Sequence, residues 1–102
     1  MLKILFLGLI ISTQLWAKDV VIDVRTPEEF QSDHVSGAIN LDIKDTDFKK
    51  SVSKLNRDDS YKVYCKSGTR SEKAIQVMRE LGFKKLENLG GIDNAKKEIY
   101  VK

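Results

Sequence analysis

Short β-branched runs alternate with helix-forming patterns along most of this 102-residue chain, and this alternation limits the folds open to it. Strands that alternate with helices form parallel sheets, because each helix carries the chain back to the same end of the sheet. We therefore expect a small doubly wound α/β fold with about four parallel strands and helices on both faces. The glycine pair at residues 90–91 predicts a sharp turn before the last helix. The patterns predict strands at residues 20–24, 39–41, 61–65 and 85–89, and helices at residues 26–30, 45–55, 69–81 and 93–99.

Two of the predicted helices begin with a capping-box pattern, in which a threonine is followed three residues later by a glutamate. Thr26 and Glu29 form the first pattern, and Pro27 between them suits the first turn of a helix. Thr69 and Glu72 form the second pattern, and we expect that threonine to cap the third helix.

The composition is that of one folded domain and excludes several classes of protein. Hydrophobic residues make up 41% of the chain, which is enough for a core and argues against disorder. The 18 Lys and Arg residues are interspersed with 15 Asp and Glu, so the net charge of +3 forms no patch typical of a nucleic-acid partner. The single cysteine, Cys65, excludes an internal disulfide and a zinc cluster of several thiolates.

The first 17 residues differ from the rest and have the pattern of a secretory signal peptide. Lys3 precedes an almost unbroken apolar run at residues 4–11, and a polar segment follows before Ala17. The run is shorter than the roughly 20 apolar residues that span a bilayer. We therefore expect cleavage after residue 17, export to the periplasm without stable membrane insertion, and one domain over residues 18–102. An uncleaved anchor and a buried strand are the alternatives.

Cys65 is the candidate reactive group of this chain. It ends the third predicted strand, and ligands of open parallel sheets bind beyond the carboxyl ends of the strands. Backbone N–H groups that point inward from the loop, the N-terminus of the next helix and the cations Lys66 and Arg70 all favour a thiolate. We therefore expect a lowered pKa and a nucleophilic cysteine. The alternative is a small buried hydrophobic residue. His34, the only histidine, lies in a separate loop, which disfavours a Cys–His protease.

Several segments resemble the motifs of rhodanese-like domains, in order and with matching spacing. They are residues 23–30 (DVRTPEEF), 34–40 (HVSGAIN), 65–71 (CKSGTRS) and 89–91 (LGG). The resemblance covers nearly all of residues 18–102, and it is closest to the minimal, exported, single-domain members of the family. It implies that residues 65–71 form the active-site loop, of which residues 66–70 bind substrate.

The resemblance implies a thiosulfate sulfurtransferase that works by double displacement. Cys65 would take the outer sulfur of thiosulfate, release sulfite, and pass the sulfur from a persulfide to cyanide or a thiol acceptor, without a metal or organic cofactor. We expect a monomer. The residues implied to lie near the site, where we expect structural roles, are Asp23, Arg25 and His34. The loop residues implied to bind substrate are Lys66, Ser67, Gly68, Thr69 and Arg70.

Two other functions remain open at this point. Dual-specificity phosphatases and some arsenate reductases share the rhodanese fold but place five residues between the cysteine and the arginine. Only four residues separate Cys65 from Arg70, which leaves a loop suited to a sulfur atom and small for a phosphate. The second alternative is a non-catalytic module of the same family that carries sulfur or binds a partner.

Overall fold

The structure is a computed structural model that describes residues 17–100. The predicted signal peptide, apart from Ala17, lies outside the described residues. The strands in the described range are β1 (Asp19–Asp23), β2 (Ile39–Asn40), β3 (Ser60–Cys65) and β4 (Leu86–Gly91). The helices in the same range are α1 (Pro27–Ser32), α2 (Phe48–Ser53), α3 (Thr69–Glu80) and α4 (Ile92–Tyr100).

The strands form one parallel sheet in the order β2-β1-β3-β4. Asp23, at the end of β1, is in register with Asn40 of β2 and Tyr64 of β3, so the carboxyl ends of the strands meet at one edge. The chain winds outward from β1 to β2 on one side and through β3 to β4 on the other. This order confirms the doubly wound α/β fold, and its strand order reverses between β1 and β3, where such folds bind ligands.

Helices cover both faces of the sheet, as predicted. Successive residues of a strand point to opposite faces, and β3 shows this directly. Val63 and Cys65 pack in a cluster with the buried residues of α2 and α3. Tyr64 packs in a second cluster with Ala95 of α4. Cys65 therefore lies on the α3 side of the sheet, with its backbone at the end of a central strand.

The first capping box forms as predicted. The Thr26 hydroxyl accepts a hydrogen bond from the Glu29 N–H at 3.2 Å, and the Thr26 N–H donates to the Glu29 carboxylate at 3.0 Å. Both bonds satisfy backbone N–H groups that the start of a helix leaves without partners. The helix α1 therefore begins at Pro27, and it continues to Ser32, beyond the predicted end.

The second helix is shorter than the predicted span of 45–55. Asp45 accepts a hydrogen bond from the N–H of Asp47 through its side chain, and Asp42 does the same for Lys44, both at 2.9 Å. Such aspartate turns compete with helical hydrogen bonds. The helix α2 therefore begins only at Phe48.

Candidate active site

The sulfur of Cys65 lies inside a short loop between β3 and α3. The Gly68 N–H donates to the Cys65 sulfur at 2.9 Å, and the Ser71 N–H donates to it at 3.4 Å. The Ser71 hydroxyl oxygen lies 3.5 Å from the same sulfur. Cys65 is only 1% exposed, so its surroundings are mostly protein groups. The arrangement is a hydrogen-bonded cradle for a sulfur atom at the N-terminus of a helix.

The start of α3 differs from the predicted capping box. The residue that precedes the helix is Gly68, at φ 104°, and Thr69 is the first helical residue. No side chain caps this helix, because the cradle occupies its first turn: the free N–H of Ser71 points at the Cys65 sulfur. The left-handed conformation that turns the loop back over the sulfur favours glycine, which has no Cβ to strain it.

The hydrogen bonds of the cradle favour the ionised form of Cys65. Burial of the thiol raises its pKa and is the largest single influence. Hydrogen bonds from the Ser71 hydroxyl and from the N–H groups of Ser71, Ser67 and Gly68 act in the other direction and outweigh burial, so the pKa of Cys65 lies below its ordinary value. The direction agrees with the expectation from the sequence, and among the predicted influences the hydrogen bonds of the loop lower the pKa most.

The two glycines at the end of β4 allow the loop to approach the sheet. A Cβ on Gly91 would lie 2.3 Å from the carbonyl oxygen of Lys66, and a Cβ on Gly68 would lie 3.3 Å from the Cα of Gly90. The prediction of a sharp turn at residues 90–91 is wrong, because both glycines continue β4 beside Tyr64 and Cys65 of β3. They form the wall against which the loop of residues 65–70 packs.

Arg70 is paired rather than free. Its guanidinium donates to the two carboxylate oxygens of Glu29, at 2.8 and 3.1 Å, so that α3 is tied to α1 beside the loop. The hydrogen bond from Arg70 is the largest cause that lowers the pKa of Glu29 to about 2. The positive charge of Arg70 is therefore partly compensated, whereas Lys66 is exposed to solvent.

The other predicted loop residues, Ser67 and Thr69, are exposed at the rim of the cradle. The loop thus brings the predicted residues 65–70 together. The Gly68 backbone N–H points at the sulfur, whereas the side chains of Lys66, Ser67 and Thr69 are exposed to solvent. Sequence reasoning missed Glu29 and Asn88 as site residues. It placed Ser71 in the loop segment, three residues after a glycine at the helix start, but gave it no role at the sulfur. Glu29 and Asn88 reach the site only through the fold.

The residues expected to have structural roles near the site have such contacts. Arg25 forms a buried ion pair with Asp23 at 2.8 Å, and its guanidinium lies 5.7 Å from the centre of the Tyr64 ring. His34 stacks on Phe30 with a centroid distance of 3.7 Å, and its Nδ1 lies 2.8 Å from the Phe30 carbonyl oxygen. These contacts order the loop that follows α1.

Residues 17–100 contain neither a cluster of metal ligands nor a helix able to span a membrane. Within this range, no group of three or more His, Cys, Asp or Glu side chains could hold a metal ion. None of the helices described there is long and apolar enough to cross a membrane.

Comparison with known proteins identifies similar chains over most of the sequence. A family model described as the rhodanese-like domain matches residues 11–98. The thiosulfate sulfurtransferase PspE of Escherichia coli (strain K12) is 37% identical over 89 residues, which cover 87% of this chain and 86% of that protein. The putative sulfur carrier protein YrkF of Bacillus subtilis (strain 168) is 35% identical over 69 residues, which cover 68% of this chain but only 36% of that protein.

Solved structures give the same result. A rhodanese with anions from E. coli superposes with a TM-score of 0.65 at 37% sequence identity, and the match covers 74% of this chain and 89% of that one. The rhodanese-related protein of Thermoplasma volcanium superposes with a TM-score of 0.67 at 27% identity, over 82% of this chain and 81% of that one.

Proposed function

The chain belongs to the rhodanese-like domain family, and from that premise we propose that it is a thiosulfate sulfurtransferase in which Cys65 carries the transferred sulfur. The observation that carries the proposal is the cradle of N–H groups from Gly68 and Ser71 around the Cys65 sulfur. Such a cradle stabilises an anionic sulfur without a separate base. Similarity to a thiosulfate sulfurtransferase over 86% of its length supports thiosulfate as the donor.

The reaction has two steps that balance without a further reactant. The Cys65 thiolate attacks the outer sulfur of thiosulfate, the sulfur–sulfur bond of thiosulfate breaks, and sulfite leaves with the bonding electron pair. An acceptor nucleophile then attacks the outer sulfur of the Cys65 persulfide and regenerates the thiolate. Cyanide becomes thiocyanate in this step, and a thiolate acceptor becomes a persulfide.

The loop residues 66–70 bind different parts of the substrate. The backbone N–H groups of the loop hold the sulfur charge in both forms of the enzyme, because they are preorganised and need not turn during the reaction. Lys66, exposed at the rim, attracts the thiosulfate dianion. Arg70 contributes the part of its positive charge that the pairing with Glu29 does not cancel. Ser67 and Thr69 complete the rim around Gly68.

A sulfur carrier is the second candidate function. The similarity to YrkF favours it, since that protein is described as a putative sulfur carrier. A carrier would form the same Cys65 persulfide but would release the sulfur only to a dedicated protein. Rapid turnover with cyanide or small thiols distinguishes the enzyme from the carrier.

We also propose that the chain is exported to the periplasm and that residues 18–102 form its mature domain, a monomer. Two contacts support this boundary. The Lys18 N–H donates to a carboxylate oxygen of Asp59 at 2.9 Å, and the Lys18 carbonyl accepts from the Ser60 N–H at 2.8 Å. Contacts of the fold therefore extend to Lys18, so a cut after residue 17 preserves both contacts.

A steady-state assay tests the proposed activity. Purified residues 18–102 are given thiosulfate and cyanide, and thiocyanate is measured against time for the wild type and Cys65→Ser. We expect turnover by the wild type and none by the variant, with equal thermal unfolding of both. p-Nitrophenyl phosphate serves as the control substrate. Hydrolysis of this phosphate that depends on Cys65, without thiocyanate formation, would favour a phosphatase.

A further inference from the structure

The Ser71 hydroxyl lies between three groups that can accept its single hydrogen. Its oxygen is 2.7 Å from Oδ1 of Asn88, 2.9 Å from the carbonyl oxygen of Gly68 and 3.5 Å from the sulfur of Cys65. Ser71 is 0% exposed, so this competition takes place among protein groups. A hydroxyl has only one hydrogen to donate, so it can serve only one of these acceptors fully at a time.

The orientation of the Asn88 amide is fixed by its neighbours. The Gly90 N–H donates to Oδ1 of Asn88 at 2.8 Å, which a nitrogen at that position could not accept. The amide nitrogen of Asn88 faces two acceptors, the Gly68 carbonyl at 3.3 Å and a Glu72 carboxylate oxygen at 3.4 Å. Oδ1 is therefore an acceptor on the side of Ser71, and in that contact the serine must donate.

The Gly68 carbonyl already accepts from the Glu72 N–H at 3.1 Å and from the Asn88 amide nitrogen at 3.3 Å. The two acceptors between which the serine hydrogen exchanges are therefore Asn88 and the Cys65 sulfur. When Cys65 is a thiol, its S–H can donate to the Ser71 oxygen while the serine hydrogen points to Asn88. When Cys65 is a thiolate, its proton has gone to solvent and the sulfur is only an acceptor. The Ser71 hydroxyl then turns to the sulfur and gives up its bond to Asn88, while Ser71 itself keeps its proton.

We propose that Asn88 is a positioning residue that acts through Ser71, by competing with the Cys65 sulfur for the hydrogen of the Ser71 hydroxyl. The inference deepens the proposed sulfur transfer, because the same hydroxyl would serve the anionic sulfur in that reaction. It predicts that Asn88 restrains the ionisation of Cys65. Nucleophilic thiols attack best when their pKa lies near the ambient pH. A restraint on ionisation keeps the pKa of Cys65 from falling far below that value.

The variants that test this proposal leave the charged groups around the sulfur unchanged. Arg70 is paired with Glu29 across α3 and α1, and Arg25 is paired with Asp23 after β1. Substitutions of Asn88 and Ser71 by alanine add and remove no charge. Charged side chains at this edge include Asp23 and Arg25 at the end of β1, Glu29 of α1, Lys66, Arg70 and Glu72 beside the cradle, and Asp93 in the first turn of α4.

A double-mutant cycle on the ionisation of Cys65 tests the proposal. The rate of alkylation by iodoacetamide is measured against pH for wild type, Asn88→Ala, Ser71→Ala and the double variant. We expect Asn88→Ala to lower the midpoint by about half a pH unit or more, because the hydroxyl is released to the thiolate. We expect Ser71→Ala to raise the midpoint, and Asn88→Ala to have no further effect in that background.

The Ser71→Ala background is the matched control. Loss of Asn88 also frees the Gly90 N–H, and any loosening of the loop for that reason would shift the midpoint equally in both backgrounds. Equal shifts, no shift, or a raised midpoint in Asn88→Ala would overturn the proposal. The measurement needs no sulfur donor, so its failure is distinct from a failure of the proposed thiosulfate reaction.

Discussion

The guanidinium of Arg70 and the carboxylate of Glu29 form a two-point ion pair between the first turn of α3 and helix α1, with N–O distances of 2.8 and 3.1 Å. The same carboxylate accepts from the Thr26 N–H at 3.0 Å. Glu29 therefore caps α1 and anchors Arg70 beside the loop that holds Cys65. The pair orients Arg70 beside the cradle and partly cancels the charge that would attract an anionic substrate.

Substitutions of the two partners should change thiosulfate binding in opposite directions. Arg70→Ala removes a positive charge, and we expect the KM for thiosulfate to rise roughly three- to tenfold. Glu29→Gln retains an acceptor for Thr26 and leaves Arg70 uncompensated, so KM should fall. Steady-state kinetics of both variants, with thermal unfolding as a control for folding, measures this. An unchanged KM in Arg70→Ala would contradict a role for its charge in binding.

The ion pair of Arg70 and Glu29 makes the free energy of unfolding depend on pH in the acid range. The folded-state pKa of Glu29 is about 2, below the ordinary value of 4.5, chiefly because of its hydrogen bond with Arg70. A lowered folded pKa stabilises the fold above the ordinary pKa, and the contribution is lost as the pH falls from about 4.5 toward 2. Urea unfolding at several pH values should show a smaller acid-dependent loss of unfolding free energy in Glu29→Gln. Identical pH profiles of the two proteins would show that the pair does not contribute.

Gly91→Ala tests the contact between the loop and β4. The added Cβ would lie 2.3 Å from the Lys66 carbonyl oxygen, so the backbone of the loop must move. We expect a stability loss of about 1–3 kcal/mol and at least a tenfold loss of sulfur transfer. Gly37→Ala is the control: Gly37 has φ 86° and no atoms near an added Cβ, so backbone strain should cost stability but not activity. Full activity of Gly91→Ala would contradict the packing argument.

The proposed domain boundary can be tested by two truncations. A chain that begins at Lys18 keeps its contacts with Asp59 and Ser60. It should therefore unfold at the same urea concentration as the full chain of residues 1–102. A chain that begins at Val20 lacks Lys18 and Asp19, and we expect a loss on the order of 1 kcal/mol. Sequencing of the exported protein should give Lys18 as its first residue. Equal stability of the two truncated chains would remove the structural support for this boundary.

The sequence predicts those parts of the site that are contiguous in the chain. Cys65, the glycine of its loop and the following helix lie within a few residues of one another, and a parallel fold places them at the ligand-binding edge. The pairing of Arg70 with Glu29 could not be predicted in the same way, because the partners are 41 residues apart and meet only when α1 and α3 are placed. Asn88 likewise reaches Ser71 only through the register of β4.

Two predictions from the sequence are wrong for local reasons, because the same residue pattern suits two different structures. The pattern Thr69 to Glu72 matches a capping box, but the cradle takes the N–H groups that a capping side chain would bind. The glycine pair at residues 90–91 matches a turn, but the close approach of the Lys66 carbonyl requires the glycine at position 91 within a strand. In both cases the requirements of the cysteine loop override the ordinary preference of the residues.

The mass of the intact protein after incubation with thiosulfate tests the central claim most directly. We predict that residues 18–102 gain the mass of one sulfur atom, that cyanide removes it with formation of thiocyanate, and that Cys65→Ala gains nothing. A wild-type protein that gains no sulfur, or a Cys65→Ala variant that still does, would contradict the account.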